Sequence, residues 1–571
     1  MKKIITKNLS AALLLAALSA CGGGSAPESA PAASAGNASS GTASASNITA
    51  GTITPELGQA LPSAAIGQLD ETAAHRFLTR TTFGPTLHDV DALRQTTPLQ
   101  WIQEQMVLPP TYMSDGLARD SFRWAQYVNV WWKNSITAED QLRQRMAFAL
   151  SQIFVVSAKD SLGDEQPGVA KYYDMLVNHA FGNFRDLMEE VTLSPIMGEY
   201  LSMKGNRRPD PENNVRPDEN YARELLQLFT IGLVQLNQDG SVQTDESGIP
   251  LPTYDQDTIE AFAHVFTGWH FANVNDFRWP LTTDYISPMQ AYEDFHDKGS
   301  KKLLNGFETP AGQSAAEDLQ MALDNIFYHP NVGPFIAKQL IQRFVTSNPS
   351  PQYVSDVAAI FNDNGSGTRG DLGGVLAAIL LHDEAFNGHI YEPDTFGKLK
   401  EPALRISSLW RAFTPKSIHP DFNYAWAAGD IGQAPLNANS VFNFFTPFFS
   451  QPGVIRESGL VAPEFEIHDE TSVISITNRL LSNSIWAHDT KYESNDQTIA
   501  INIDRELAFG DDHEALLDHL DRVLLGGTMS DQLRAEASKI MNARDYGWAE
   551  SQRIVEAVFL IVSSPEAAVQ L

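Results

Sequence analysis

Cysteine is almost absent from this sequence, with Cys21 the only one among 571 residues. A chain with one cysteine can form no internal disulfide, hold no metal through paired thiolates and attach no haem through a C-x-x-C-H motif. Stability must therefore come from a hydrophobic core. Any chemistry must come from carboxylates, imidazoles, amides and hydroxyls.

Basic residues are also scarce. The chain has 40 Lys and Arg against 70 Asp and Glu, a formal net charge of −30. A surface this acidic repels phosphate backbones, which excludes nucleic acid as an expected partner. Most of the acidic side chains are expected to serve solubility, and a divalent cation bound by some of them is the alternative.

The familiar catalytic motifs are missing as well. The sequence has no G-x-S-x-G elbow, no H-E-x-x-H, no P-loop and no zinc knuckle. Motifs therefore identify no reaction and no cofactor, and they leave open whether the protein is an enzyme.

Residues 1–20 have the features of an export signal. Lys2 and Lys3 precede a short apolar run that is too short to span a bilayer. The Leu-Ser-Ala triplet before Cys21 resembles the lipobox of bacterial lipoproteins, in which that cysteine is lipidated. Because Gly22 and not Asp follows it, the resemblance favours the outer membrane. An ordinary cleaved signal peptide, or an N-terminal helix that is retained, is the alternative.

Residues 21–66 are rich in Gly, Ala and Ser and have few large apolar side chains. Such a composition cannot bury enough surface to offset its ordering entropy. It predicts a flexible tether between the lipid anchor and the rest of the chain.

Residues 67–571 are predicted to form one large, mainly α domain with a few short β-hairpins and long loops. Hairpins are expected around Asp239-Gly240 and at 301–308. Long loops are expected at 203–217, 270–300 and 414–469. Helical periodicity is seen near 87–106, 138–157, 183–193, 218–231, 258–266, 315–328, 331–345, 351–362, 371–382, 399–413, 470–485, 512–524, 530–543 and 548–562.

Several short blocks, taken in order, are similar to those of one family. They are RTTFGPT (80–86), QLRQRMAFALSQIFVVS (141–157), ENYARELLQLFTIG (219–232), FTGW (266–269), HDKGSKKLLNG (296–306), FIAKQLIQRFV (335–345), RGDL (369–372), GQAPLNANSVFNFF (432–445), LVAPEFEI (460–467) and LIVSSPE (560–566). Together they resemble the bacterial domain of unknown function 1800 (DUF1800) family, from about residue 70 to the C-terminus.

The resemblance implies an exported protein without a known activity. It also implies a partner, since members are often encoded beside a secreted family of sulfatase-like or phosphatase-like fold, domain of unknown function 1501 (DUF1501). Many members carry His where this chain has Phe229. We therefore assign position 229 no catalytic role.

The first candidate site lies on the helix predicted after Asp218. Asn220, Arg223 and Glu224 fall on one polar face. Glu224 could act as general acid or base or as a metal ligand, and Arg223 could orient an anionic group. A solvated helix face with local hydrogen bonds is the alternative.

The second candidate is the dipeptide His296-Asp297, which offers a pair for proton transfer or metal binding. Adjacent side chains in an extended segment point to opposite faces, so the two need not act on one atom. Anchoring of the loop is the alternative role.

Two further blocks offer binding residues. Gly268 is expected to end the helix predicted at 258–266, which Asp257 and Glu260 would open as a capping box, and Trp269 could face a cleft and stack on a sugar ring. Gln433 begins a segment of amides and phenylalanines that could line a pocket. For both blocks the alternative is packing against the body of the protein.

Three functions remain open. The first is an exported lipoprotein that binds a glycan or an envelope partner through a polar cleft. The second is a hydrolase or lyase acting on a polysaccharide, with Glu224 and Asp297 as acid and base across a cleft. The third is a metal-dependent phosphoesterase or oxidase that uses His296 with these carboxylates.

Overall fold

The computed structural model describes residues 67–117, 125–417, 422–483, 499–543 and 549–571. The predicted signal peptide, the tether and the lipidation site at Cys21 lie outside the described residues. Within the described ranges no helix is long and apolar enough to cross a membrane.

The prediction of a mainly helical domain is confirmed. The helices are α1 (Glu71–Thr81), α2 (Leu87–Leu93), α3 (Pro98–Val107), α4 (Gln126–Thr137), α5 (Gln141–Ser151), α6 (Gln166–Asn178), α7 (Phe184–Leu193), α8 (Pro195–Tyr200), α9 (Asn220–Glu224), α10 (Gln256–Val265), α11 (Ala315–Phe327), α12 (Val332–Phe344), α13 (Pro351–Asn362), α14 (Leu372–Leu381), α15 (Asp383–Tyr391), α16 (Pro402–Ala412), α17 (Ala427–Ile431), α18 (Val454–Glu457), α19 (Glu470–Leu481), α20 (Asp504–Leu507), α21 (His513–Leu525), α22 (Asp531–Asn542), α23 (Glu550–Ser563) and α24 (Pro565–Ala568).

The strands are short and form antiparallel pairs of two residues each. They are β1 (Trp269–His270) with β2 (Gln290–Ala291), β3 (Lys301–Lys302) with β4 (Glu308–Thr309), β5 (Lys398–Leu399) with β8 (Val569–Gln570), and β6 (Lys416–Ser417) with β7 (Ile499–Ala500).

Both predicted hairpins are present. The β3–β4 pair is the hairpin expected at 301–308. Around Gly240, which has a φ of +76°, the chain turns back through isolated bridges such as Leu236 with Val242. Glycine adopts this left-handed backbone without steric cost, which is why the turn forms there.

The core is dense in aromatic side chains. Trp131 and Trp132 of α4 are buried edge to face, with ring centroids 5.0 Å apart, and Trp132 lies 5.3 Å from Trp410 of α16. Edge-to-face contacts place the positive edge of one ring on the negative face of the next. These rings hold the first third of the chain against its C-terminal half.

Some helix boundaries differ from the predicted ones. The helix expected at 87–106 is two helices, since Thr97 caps α3 through a capping box with Gln100. Helix α10 is capped by Asp255, whose side chain accepts a hydrogen bond from the backbone N–H of Thr258, so the capping box predicted at Asp257 and Glu260 is wrong.

Helix α4 was not among the predicted segments. Ten of its 12 residues are buried, including Gln126 and Asn129. A helix that is buried around most of its circumference has no polar stripe, and it therefore lacks the periodicity that reveals an amphipathic helix.

The two ends of the described chain lie together. Lys398 of β5 pairs with Gln570 of β8. The Thr72 hydroxyl of α1 donates to the carbonyl oxygen of Gly526, just after α21, at 2.7 Å. Helices α1, α16, α21, α23 and α24 thus meet on one side of the molecule.

Candidate functional site

Glu224 occupies an unusual place in the backbone. It is the last residue of α9, and the chain continues directly into a π-helix at Leu225–Thr230. π-helical turns are rare and frequently occur at functional sites. The Glu224 side chain turns inward, so that the residue is only 7% exposed.

No described residue bonds to the buried carboxylate oxygen Oε2 of Glu224, and none bonds to the Tyr254 hydroxyl, which is also buried. Buried polar atoms are normally hydrogen-bonded, so each exception requires an explanation. Burial raises the pKa of Glu224, although Arg223 opposes the shift. A carboxyl with a raised pKa is a characteristic of acid–base sites and of ligand sites.

Two tyrosines share this environment. Burial raises the pKa of Tyr254, and the negative charge of Glu224 adds to the shift. Burial also raises the pKa of Tyr200 to about 12, with smaller contributions from Asp160 and Glu224. We call Tyr200, Arg223, Glu224 and Tyr254 the Glu224 site.

The other residues predicted on this helix lie at its outer side. Asn220 is exposed, and its backbone N–H donates to Asp218. Arg223 donates to Glu219 Oε2 at 2.8 Å and to Gln256 Oε1 at 3.3 Å. The predicted polar face is therefore divided, with Asn220 and Arg223 toward solvent and the Glu224 carboxyl toward the protein.

His296 is completely buried and already paired on both ring nitrogens. Nε2 lies 3.0 Å from Asp318 Oδ2, and Nδ1 lies 2.9 Å from the Thr267 carbonyl oxygen. The Lys301 ammonium also pairs with Asp318 Oδ2, and Gln313 donates to Oδ1 at 2.8 Å. We call His296, Lys301, Gln313 and Asp318 the Asp318 cluster.

The charges of this cluster stabilise one another. Burial by itself would raise the pKa of the Asp318 carboxyl, but hydrogen bonds from His296 and Lys301 outweigh it, and the pKa lies below its ordinary value. No ring nitrogen of His296 is left for a metal ion or for a transferred proton. This geometry favours the anchoring role for His296.

Asp297 points away from its neighbour, as expected of an extended segment. Its carboxylate pairs with the His264 ring, and Oδ1 accepts from the Gly299 N–H at 2.7 Å. The bond with His264 is the main reason why the pKa of Asp297 is lowered to about 2. In the described structure Asp297 and Glu224 share no hydrogen-bond partner.

Trp269 lies in β1, opposite Ala291, and is buried. The preceding Gly268 has a φ of +85°, as its predicted left-handed role requires, and a Cβ there would lie 2.9 Å from the backbone N of His296. The close approach of these two backbones therefore requires glycine. Trp269 contributes to this packing and offers no open aromatic face.

Gln433 is buried in a different place. Its amide donates to Glu401 Oε2 at 2.6 Å, and Gln152 donates to the same oxygen at 2.7 Å. Arg343 in turn donates to the Gln152 side chain at 2.9 Å. These contacts join the sequence blocks at 141–157, 335–345 and 432–445, so the blocks meet at a buried polar network and not at an open cleft.

A second pair of charges extends this network. The Lys398 ammonium lies 2.8 Å from Glu464 Oε1, and both side chains are 1% exposed. Arg145 is also buried, with its guanidinium against the rings of Phe83, Phe148 and Phe344. Loss of one partner of such a buried ion pair strongly destabilises the folded protein.

A pocket of about 280 Å³ opens beside α2 and α3, where the sequence predicted none. It is lined by Thr82, Thr86, Asp89, Trp101, Gln105, Thr137, Ala138, Glu139, Gln141 and Arg411. Its deeper polar groups are already used, since Arg411 pairs with Asp89 at 2.9 Å and Gln141 donates to the Ala138 carbonyl oxygen at 2.8 Å. Only tertiary packing creates this pocket, and no local motif could have indicated it.

Among the described residues, no group of three or more His, Cys, Asp or Glu side chains is arranged to hold a metal ion. The carboxylates predicted as ligands, Glu224 and Asp297, have separate surroundings.

Comparison with known proteins gives one result. The model of a family described as "Protein of unknown function (DUF1800)" matches residues 76–569. No curated protein and no solved structure matches the chain.

Proposed function

This chain belongs to the DUF1800 family of proteins of unknown function, and we propose that it binds a glycan or a similarly hydroxyl-rich ligand of the cell envelope at the Glu224 site. The observation that carries the proposal is the pair of buried polar atoms, Glu224 Oε2 and the Tyr254 hydroxyl, that lack partners in the described structure. Sugar hydroxyls can donate to the carboxylate oxygen and accept from the tyrosine hydroxyl.

The remaining groups suit the same ligand. Tyr200 and Tyr254 are only partly buried and carry aromatic faces, on which a sugar ring can stack. Arg223 is 39% exposed at its side chain and held by Glu219, so it presents a fixed set of donors at the edge of the site. Few, well-placed polar groups among apolar walls are typical of small-ligand sites.

The test is binding of the full chain to a panel of polysaccharides, measured by calorimetry for wild type, Glu224→Gln and Tyr254→Phe. Each variant removes one hydrogen-bonding capacity and keeps the shape, so at least about tenfold weaker binding is expected. Glu246→Gln, in the exposed part of the hairpin around Gly240, is the matched control and should bind as wild type does.

Equal affinity of wild type and both site variants for a bound polysaccharide would exclude this site. If no polysaccharide binds but a secreted protein of the DUF1501 type does, the ligand is a protein partner. The same two variants then show whether the Glu224 site is used.

A second candidate function is hydrolysis of the bound polymer. The charges of Asp160 and Glu224 both contribute to the raised pKa of Tyr200, so two carboxyl groups in different environments act on one hydroxyl. Asp160 is exposed, whereas Glu224 is buried with a raised pKa, and such a contrast can separate the roles of base and acid. Release of reducing ends by wild type but not by Glu224→Gln would support catalysis, and binding without release would restrict the function to recognition.

We further propose that the protein is exported and anchored in the outer membrane through a lipid on Cys21. The lipobox-like triplet before Cys21 and the Gly at position 22 support this location. Cys21→Ser should move the protein from the membrane fraction to the soluble fraction of cell extracts. An unchanged distribution would contradict the anchor.

A further inference from the structure

A small pocket, separate from the Glu224 site, lies where the two ends of the described chain meet. It has a volume of about 30 Å³ and lies between α1, α16, α21, α23 and α24. By the same measure a water molecule needs about 10–15 Å³, so the pocket has room for a small ion. Its polar lining consists of His75, Thr79, Lys400, Arg405 and Ser408.

The lining carries positive charge without a counter-charge. Lys400 is partly exposed, and no hydrogen bond or ion pair joins its ammonium to a described residue. Arg405 donates to the Val562 carbonyl oxygen at 3.2 Å, but its buried Nε has no partner among the described residues. Cations that are removed from water are normally paired.

Two carboxylates of neighbouring segments are engaged elsewhere. Glu401, beside Lys400, accepts hydrogen bonds from Gln152 and Gln433. Glu71, which influences His75, pairs with Arg522 and Arg94. Neither of them neutralises the pocket.

The electrostatics agree with the geometry. Burial and the neighbouring charge of Arg405 lower the pKa of Lys400 to about 8, and burial lowers the pKa of Arg405 to about 10. Both pKa values are lowered, which means that neighbouring groups compensate the positive charges of Lys400 and Arg405 poorly. An anion in the pocket would reverse both shifts.

We propose that this pocket, which we call the Lys400 pocket, binds a phosphate-type oxyanion. The Arg405 guanidinium and the Lys400 ammonium supply the charge, and the Ser408 hydroxyl adds a donor in another direction, which suits a tetrahedral oxyanion. The Thr79 hydroxyl borders the pocket but already donates to the His75 carbonyl oxygen at 2.9 Å. Because the lining comes from α1, α16 and the C-terminal helices, the bound anion joins the two ends of the domain.

The test is calorimetric titration and thermal unfolding of the full chain with inorganic phosphate, with glycerol 3-phosphate and with chloride at constant ionic strength. Wild type should bind phosphate and unfold at a higher temperature in its presence. Lys400→Gln should lose at least about tenfold in affinity, while Lys302→Gln removes an exposed lysine and should bind as wild type does. Tighter binding of glycerol 3-phosphate than of phosphate would identify the phosphoryl group of a larger ligand, and the reverse would identify the free ion.

A second readout separates binding from a structural role. In buffer without phosphate, Lys400→Gln should unfold at the same temperature as wild type or higher, because the variant removes an unpaired charge. A large loss of stability there would show that Lys400 is needed for packing and would overturn the proposal. Equal phosphate binding by Lys400→Gln and wild type, or stabilisation by chloride alone, would also overturn it.

Discussion

The Asp318 cluster and the Glu224 site are two ways of burying a carboxylate in one domain. In the Asp318 cluster, the carboxylate oxygens receive hydrogen bonds from His296, Lys301 and Gln313. Asp318, His296 and Lys301 are buried, and Gln313 is partly buried. In the Glu224 site, a carboxylate oxygen that is just as hidden from solvent has no partner among the described residues.

The pKa values of the two carboxyls move in opposite directions for this reason. The pKa of Asp318 lies below its ordinary value because its hydrogen bonds outweigh the effect of burial. The pKa of Glu224 is raised because the effect of burial dominates. Removing one partner of a satisfied buried charge is strongly destabilising, whereas a buried charge without a partner already costs stability unless a ligand completes it. The comparison therefore favours a structural role for the Asp318 cluster and supports the proposed ligand binding at the Glu224 site.

The largest expected change in the free energy of unfolding is a loss in the variant Asp318→Asn. Asp318→Asn leaves Lys301, whose side chain is 2% exposed, without its counter-charge. Loss of one partner of a buried pair typically costs about 3–5 kcal/mol, so the free energy of unfolding in urea should fall by about that amount. Asp511→Asn, at an exposed position, should change it by less than about 0.5 kcal/mol. A loss below about 1 kcal/mol for Asp318→Asn would remove the structural role assigned to this cluster.

A smaller effect is expected at Asp297, and it should depend on pH. Because His264 lowers the pKa of Asp297 to about 2, the ionised carboxylate contributes stability at neutral pH that is lost as the pH falls from about 4 toward 2. Asp297→Asn should therefore be less stable than wild type by about 1–2 kcal/mol at pH 7, with the difference shrinking below pH 4. Urea unfolding at pH 7, 4 and 3 measures this, and a difference that does not change with pH would contradict the assigned pairing.

The smallest change in stability is expected for Glu224→Gln, and it has the opposite sign. Its folded-state pKa is raised, so the folded protein binds a proton more tightly than the unfolded chain does. The contribution of Glu224 to the stability of wild type should fall as the pH rises from the ordinary pKa of glutamic acid through the folded-state value, and then stay level. Glu224→Gln abolishes this dependence.

At pH 7 and without ligand, Glu224→Gln should therefore equal wild type or exceed it by up to about 1 kcal/mol. Thermal unfolding of the two proteins across pH 4 to 8 makes the comparison. If Glu224→Gln is destabilised as strongly as Asp318→Asn, Glu224 has a structural partner and the contrast between the two regions fails.

Sequence reasoning identified the helical class, the two hairpins and the left-handed Gly268, because each depends on residues close in the chain. It selected Glu224 as a candidate because of its place in a recognisable block, but it expected a wholly polar face where the structure has a divided one. It treated His296 and Asp297 together, although their side chains enter different hydrogen-bond networks.

Other features left no local signal. Helix α4 lacks a polar stripe because most of it is buried. Glu401 accepts hydrogen bonds from Gln433 and Gln152 across separations of 32 and 249 residues, which no spacing in the sequence predicts. The Lys400 pocket requires His75 and Val562 on one surface, and only the meeting of the two chain ends brings them together.

The sequence by itself determined that this domain is helical, acidic, free of internal disulfides and a member of the DUF1800 family, because composition, periodicity and block order are properties of the chain. Only the tertiary structure decided which charged side chains have hydrogen-bond or ion-pair partners. That depends on the partners that packing brings to each buried group, and packing hides Glu224 Oε2 and Arg405 Nε from water without supplying a partner among the described residues.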